Sequence, residues 1–301
     1  MSDSPLVIFG CGYVGGYLAR AALSAGRRVR VCARNVARLQ PLVDLGAEAR
    51  LLDATKPKQF GPALSGLASP VVVYSIPPPP GFPAGEAVRR AASAAITAGA
   101  ERFVYLGSTG VYGNRPSDEE VDEDTSLDLS DGAMSARLSD EMALQGASAA
   151  GLKTVTLRLA AIYGPGRGVR ERLRRGDYKL TGDGENWFSR IHVLDLVELI
   201  LAAADRAPAP ALYCVADDRP ARQREYAAWL AEHLGLPLPA PTGASASHPT
   251  LHRGRRVKND RLKRDLGITL RYPSFVEGEL QIDEAEALVT ASAPAPGPTG
   301  S

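Results

Sequence analysis

The chain has 301 residues, enough for one large α/β domain or a domain with a smaller lobe. Hydrophobic residues make up 45% and charged residues 23%, an ordinary globular balance. With 35 Lys and Arg against 34 Asp and Glu, the formal net charge is +1, too small a field to recruit nucleic acid or a membrane surface. The three cysteines, Cys11, Cys32 and Cys214, form no CxxC or Cys/His cluster. They read as reduced, buried thiols of a cytoplasmic protein, with no disulfide framework and no metal site. No signal peptide is expected at the start, and no apolar run is long enough to span a bilayer.

In chain order, the pattern predicts a strand over Leu6–Phe9 and a helix from Tyr13 to Ala25, ended by Gly26. Further strands are expected at Val29–Ala33, Glu48–Leu52, Val71–Ser75, Phe103–Gly107 and Thr154–Leu159. Helices are expected at Val88–Ala98 and Arg137–Ala149. Alternating strands and helices imply a Rossmann-type α/β fold, a doubly wound parallel sheet with helices on both faces. Ligands of such sheets lie beyond the carboxyl ends of the strands. Farther along, a helix is expected to begin at Asp195, capped by Asp195 and Glu198, and Leu212–Val215 reads as a strand rejoining the sheet. Residues 237–249 read as a loop, and the stretch from 288 to 301 as a disordered Pro/Ala/Gly tail.

The loop Gly10-Cys11-Gly12-Tyr13-Val14-Gly15 follows a strand and opens a helix, the setting that gives GxGxxG its meaning. Gly10 permits the tight turn, Gly12 lets the backbone approach a pyrophosphate, and Gly15 lets helix and strand pack closely. The helix N-terminus presents free N–H groups to phosphate. A ligand-free tight turn is the alternative. After the second strand, NAD sites carry Asp or Glu for the ribose 2′-OH, but this chain has Arg34 and Asn35, with Arg38 a turn later. Arginine forks suit a 2′-phosphate, so NADP(H) is favoured over NAD(H). Asp53 can accept from the adenine amino group or cap a turn. Ser75, Ile76 and Pro77 are expected to line the cofactor.

Gly10–Gly15, Gly107–Gly113, Arg158–Arg167 and Arg190–Leu196 together resemble the extended and atypical short-chain dehydrogenase/reductase superfamily, of the NAD-dependent epimerase/dehydratase type. Arg256–Gly267 and Arg271–Phe275 look like the same group. The resemblance implies a cofactor domain over 1–165, rejoined by 190–216, and a substrate lobe from 166–189 and 217–287. In that family a Ser orients the substrate, a Tyr moves the proton, and a Lys four residues later tunes the Tyr and holds the ribose. Ser108 matches the Ser, with Thr109 beside it at the substrate. Ala133 stands at the Tyr position and Arg137 at the Lys position. Alanine cannot relay a proton, and arginine keeps its charge, so it cannot be a general base. Arg137 can still supply charge and hydrogen bonds to the ribose. The proton must then come from Tyr112, Tyr163, an Asp near Asp131, or water. The family's Asn after the sixth strand is Ala161 here.

Arg167 and Arg190, with Tyr163, are candidate substrate contacts, and His192 reads as a packed histidine. The basic residues from 167 to 179 suit an anionic substrate or a solvated helix face, and the acidic run 118–124 reads as an exposed loop. The expected function is an NADP(H)-dependent oxidoreductase or epimerase/dehydratase-like protein acting on a small polar, sugar-derived metabolite. The alternative is a catalytically silent NADP(H) sensor. A small-molecule substrate and a homodimer are the expected partners; nucleic acid and membrane are not.

Overall fold

Leu6–Phe9 carries no polar side chain, so a strand made of it belongs where both faces are covered. In the computed structural model, which describes residues 3–113, 118–127, 135–242 and 254–292, this strand, β1, lies inside a seven-stranded sheet. Its companions are β2 (Val29–Ala33), β3 (Glu48–Leu51), β4 (Val71–Tyr74), β5 (Arg102–Leu106), β6 (Thr154–Leu159) and β7 (Ala211–Val215). The order is β3-β2-β1-β4-β5-β6-β7, with every neighbouring pair parallel. The chain builds outward from β1 to β3, then returns to the other side of β1 with β4. That reversal opens a crevice at the carboxyl ends of β1 and β4, where such sheets bind ligands.

The principal helices are α1 (Tyr13–Ser24), α2 (Glu86–Thr97), α3 (Ser135–Ala149), α4 (Val169–Arg174), α5 (Val193–Arg206), α6 (Gln223–Leu234), α7 (Asp260–Leu266) and α8 (Phe275–Ser292). Successive strand side chains alternate between two cores. Leu6 and Ile8 meet Leu18, Leu196 and Ile200 on one face, while Val7 and Phe9 meet Phe60, Val88 and Leu144 on the other. Each such fully buried apolar side chain contributes about 1.5–3 kcal/mol. Three arginines on the strands are buried by pairing. Arg30 binds Glu48 at 2.6 Å, Arg102 donates to the Ala207 carbonyl, and Arg158 forks onto Glu141 at 3.1 and 2.7 Å.

Several sequence expectations need correction. Helix α5 starts two residues early, at Val193, and His192 caps it by accepting from Leu194 N–H at 3.4 Å. Asp195 is therefore no cap. It is buried inside the first turn and accepts from the Arg271 and Tyr272 N–H groups at 3.0 and 2.9 Å, tying the last third of the chain to α5. The acidic run is not simply exposed: Glu120–Val121 pairs with Arg256–Val257, and buried Glu123 accepts from Cys214 N–H at 2.7 Å. Helix α8 continues past the expected start of the tail, to Ser292; residues 293–301 lie outside the described residues. Cys32 and Cys214 are buried as expected, but Cys11 is only partly so. Residues 241–242 of the expected loop pair with Leu180–Thr181. Among the described residues no helix is long and apolar enough to cross a membrane, and no cluster of metal-ligating side chains occurs.

Candidate functional site: two cavities at the sheet's carboxyl edge

The first cavity, about 360 Å³, sits over the carboxyl ends of β1 to β4. Its walls are Gly10–Gly12, Ala33–Asn35 with Arg38, Leu52–Thr55, and Ser75–Pro80. Each segment directly follows a strand, so the parallel sheet gathers four separate loops at one place. Gly10 takes φ +91°, and a Cβ there would lie 2.6 Å from Ile76 Cγ1 and 3.0 Å from its backbone nitrogen. A Cβ on Gly15 would lie 2.9 Å from the Gly10 carbonyl oxygen. Gly12 differs, because a Cβ there meets open space. The fold itself needs the hydrogens of Gly10 and Gly15, whereas the space at Gly12 remains for something approaching the backbone. The first turn of α1 leaves the Tyr13, Val14 and Gly15 N–H groups without intrahelical acceptors, beside that space. The glycine loop therefore fits a diphosphate.

Arg34 and Arg38 are exposed on the rim. The Asn35 side chain accepts from Ala37 N–H at 3.1 Å and caps the short turn Val36–Leu39, which carries Arg38. Asp53 lines the cavity while its Oδ1 accepts from the Thr55 N–H at 3.0 Å and hydroxyl at 2.8 Å, an Asx turn. Those bonds, with Arg34 and Lys56 nearby, hold its carboxyl below the usual range. Burial pushes the Cys11 thiol up to about 11, against the lowering effect of Arg20, so it stays neutral.

The second cavity, about 310 Å³, is bounded by the strand Ala161–Tyr163, the turn up to Val169, and residues of α6. Arg190 lines it from a buried position, its guanidinium 4.3 Å from the Tyr226 ring and 5.8 Å from that of Phe188. Arg167 and Arg172 line it as well. Tyr178, Phe188, Gln223 and Tyr226 complete the walls; no local motif marked them, because they converge from separate stretches of chain.

The remaining sequence candidates fall elsewhere. Ser108 lies two residues beyond β5, where its Oγ caps the turn Thr109–Tyr112 by accepting from Gly110 N–H at 3.1 Å, leaving its own proton to donate; it lines neither cavity. Thr109 is buried, its hydroxyl donating to the Leu159 carbonyl at 3.3 Å, which removes it as a substrate contact. Tyr112 is not a proton donor to the cleft. It is fully buried, donates to the Asp122 carbonyl at 2.6 Å, accepts from Arg158 at 2.9 Å and lies 3.0 Å from Cys214 Sγ; burial pushes its hydroxyl up. Tyr163 contributes its flank to the second cavity, but its hydroxyl is buried against α8 and donates to the Ser274 carbonyl at 3.2 Å. The contact with α8 falls on Gly278, where any Cβ would collide with the tyrosine hydroxyl. Arg137 is half-buried on the first turn of α3 and lines neither cavity. Ala133 and Asp131 lie outside the described residues. The basic segment proves neither a solvated face nor wholly a ligand site. Arg170 is buried and binds Glu279 and Asp283 of α8 at 2.7 Å each.

His192 is packed between Tyr163 and Tyr272, ring centroids 5.1 and 4.4 Å away. Burial lowers its pKa from 6.5 to about 4. Asp140, buried against the Tyr105 hydroxyl at 2.9 Å, moves the other way, from 3.8 to about 6, again through burial. The signs oppose. Between pH 6.5 and 4 the unfolded chain protonates His192 while the folded chain does not, so stability falls on acidification. Asp140 takes up its proton first in the folded state, so stability rises over roughly the same range. Each contribution is about 3 kcal/mol. Compared with wild type by urea unfolding, Asp140→Asn should lose more stability between pH 6.5 and 4, and His192→Asn less. Parallel curves for all three proteins would refute this.

The parallel sheet and its glycine loop define a Rossmann-type dinucleotide-binding fold. The family model for the NAD dependent epimerase/dehydratase family matches residues 84–216. A conserved protein of unknown function from Silicibacter pomeroyi DSS is 30% identical and superposes with a TM-score of 0.80, over 94% of this chain and 99% of its own. A UDP-glucose 4-epimerase from Thermotoga maritima, solved with UDP-glucose, has the same fold at 18% identity, with a TM-score of 0.79 over 95% of this chain and 99% of that one. A short-chain dehydrogenase/reductase superfamily protein from Agrobacterium tumefaciens, solved with bound NAD, shares the fold at 19% identity, with a TM-score of 0.76 over 95% and 98% of the two chains. No curated protein matches the sequence. The match over residues 84–216 and the shared fold make the chain similar to the NAD-dependent epimerase/dehydratase family.

Proposed function

We propose that the chain binds NADP(H), in preference to NAD(H), in the first cavity. There it oxidises, reduces or epimerises a small polar metabolite, anionic and sugar-derived, held in the second. The observation that carries the cofactor choice is the pair of exposed arginines, Arg34 and Arg38, at the end of β2, where an NAD site places a carboxylate. Their forks suit a 2′-phosphate, and the nearest lining carboxylate, Asp53, is committed to Thr55. The bound nicotinamide supplies or accepts a hydride. Gly10 and Gly12 let the backbone lie against the diphosphate, and the α1 N-terminus faces its charge. Arg190 and Arg167 orient an anionic group of the substrate. Ser108 is the hydroxyl assigned to the reacting oxygen and Arg137 the cation assigned to the ribose, both acting from beyond the walls of the two cavities.

Titration calorimetry tests the cofactor choice. NADPH should bind at least about tenfold more tightly than NADH, and Arg34→Glu should remove that difference. Equal affinity for both nucleotides in the wild type would overturn it.

One observation favours a second reading, a silent NADP(H) sensor. The hydroxyls of Tyr112 and Tyr163 are both spent inside the fold, and position 133 is alanine. Following NADPH absorbance against carbonyl and sugar substrates separates the two. Turnover supports the enzyme, and tight NADPH binding without any turnover supports the sensor.

A further inference from the structure

Tyr13 belongs to the glycine loop by sequence, but its side chain leaves that loop and reaches the turn Gly164–Arg167 that borders the second cavity. Its hydroxyl donates to the Pro165 carbonyl at 3.1 Å. Its ring lies 5.2 Å from the Arg167 guanidinium and 5.2 Å from the Tyr17 ring, which is tilted against it at 59°. A Cβ on Gly164 would lie 2.7 Å from the Tyr13 hydroxyl, so the turn rests directly on the tyrosine. Within that turn, Gly164 N–H donates to the Arg167 carbonyl at 3.0 Å, and Arg167 N–H to the Gly164 carbonyl at 2.9 Å. Gly164 and Arg167 therefore move as one piece. Arg167 is exposed at the second cavity, and among the described residues its guanidinium makes no hydrogen bond. The Tyr13 ring is what fixes it. Gly12, the residue immediately before Tyr13, lines the first cavity.

The geometry points to Tyr13 as a positioning residue that joins the two cavities: from within the dinucleotide loop it holds Arg167 in place to bind an anionic group in the second cavity. This rests on the NADP(H) reading above. A flexible arginine spread over many rotamers binds an anion less tightly than one already seated on a ring. In chemical terms the second cavity takes a phosphate- or carboxylate-bearing ligand, and its grip depends on a residue outside its own walls.

The test is a double-mutant cycle on protein saturated with NADPH, with inorganic pyrophosphate as the probe and calorimetry as the readout. Saturating NADPH keeps pyrophosphate out of the first cavity. Arg167→Met should weaken pyrophosphate about tenfold and Tyr13→Leu about fivefold, while the double variant should lose about tenfold, no more than Arg167→Met alone. Tyr13→Phe keeps the ring and should lose only about twofold. Should Tyr13→Leu fail to fold, Tyr13→Phe completes the cycle, its twofold loss vanishing in the Arg167→Met background. Losses that multiply in the double variant, an unaltered affinity in Tyr13→Leu, or no pyrophosphate uptake by NADPH-loaded wild type would each overturn the assignment. Absence of NADPH binding in the first place would instead bring down the cofactor reading.

Discussion

Gly12→Ala should fold as well as wild type and lose NADPH affinity by about 100-fold, close to 2.7 kcal/mol. The two halves of this expectation have different physical origins. The backbone at Gly12 has φ −92°, a sign any L residue adopts, and a methyl group there touches nothing within 4 Å. The folded chain therefore has no steric need for glycine. A diphosphate at the α1 N-terminus would need that space, because its oxygens must come within hydrogen-bond reach of the amides. Gly10→Ala is the contrasting control. Its positive φ and the 2.6 Å approach to Ile76 should lower thermal stability as well as binding. Calorimetry with NADPH and a thermal melt on both variants check this. A Gly12→Ala protein that binds NADPH normally would remove the glycine loop from the account.

The second large effect concerns stability. Glu141→Ala should destabilise the fold by about 3–5 kcal/mol, measured by urea unfolding at neutral pH. Arg158 points from β6 into a site where its guanidinium is almost wholly enclosed, and Glu141 of α3 meets it with two parallel hydrogen bonds. Its third partner, the Tyr112 hydroxyl, is neutral and cannot replace the lost charge. Removing the carboxylate leaves a cation buried without a counter-charge. The apolar pair Glu141→Leu with Arg158→Met should recover most of the loss, since a filled apolar site needs no compensation. A loss below about 1 kcal/mol in Glu141→Ala would mean that water reaches the guanidinium.

The sheet was legible in the sequence because its central strands, β1 and β4, are uniformly apolar and each is followed by a periodic helix. Val71-Val-Val and Leu6-Val-Ile-Phe could not be anything but doubly buried strands, and Gly26 marked the end of α1 correctly. The loops of the first cavity were legible for the same reason: once the strands are parallel, whatever follows each one must gather at one edge. Arg34 and Ser75 needed no further information. The second half was harder to read, because its contacts link residues far apart in sequence. Asp195 and Glu198 have the spacing of a cap, but nothing local reveals that the Arg271 and Tyr272 amides claim Asp195 first. Tyr112 carries a reactive group in a motif position, yet its direction is set by Asp122, Arg158 and Cys214, none of which its neighbours announce. Arg170 looked like surface charge because its three carboxylate partners arrive more than 100 residues later.

Arg255 gives one of these distant links a temporal meaning. Its guanidinium donates to the carbonyls of Thr109 and Gly113, closing the turn that begins at Ser108. Every strand of the main sheet has been synthesised by residue 215. During translation the sheet can therefore assemble some forty residues before the serine turn acquires the side chain that fastens it. A nascent chain in that interval would carry the strands and glycine loop of the first cavity while the serine turn still lacks one of its ties, so these two parts mature in sequence rather than together.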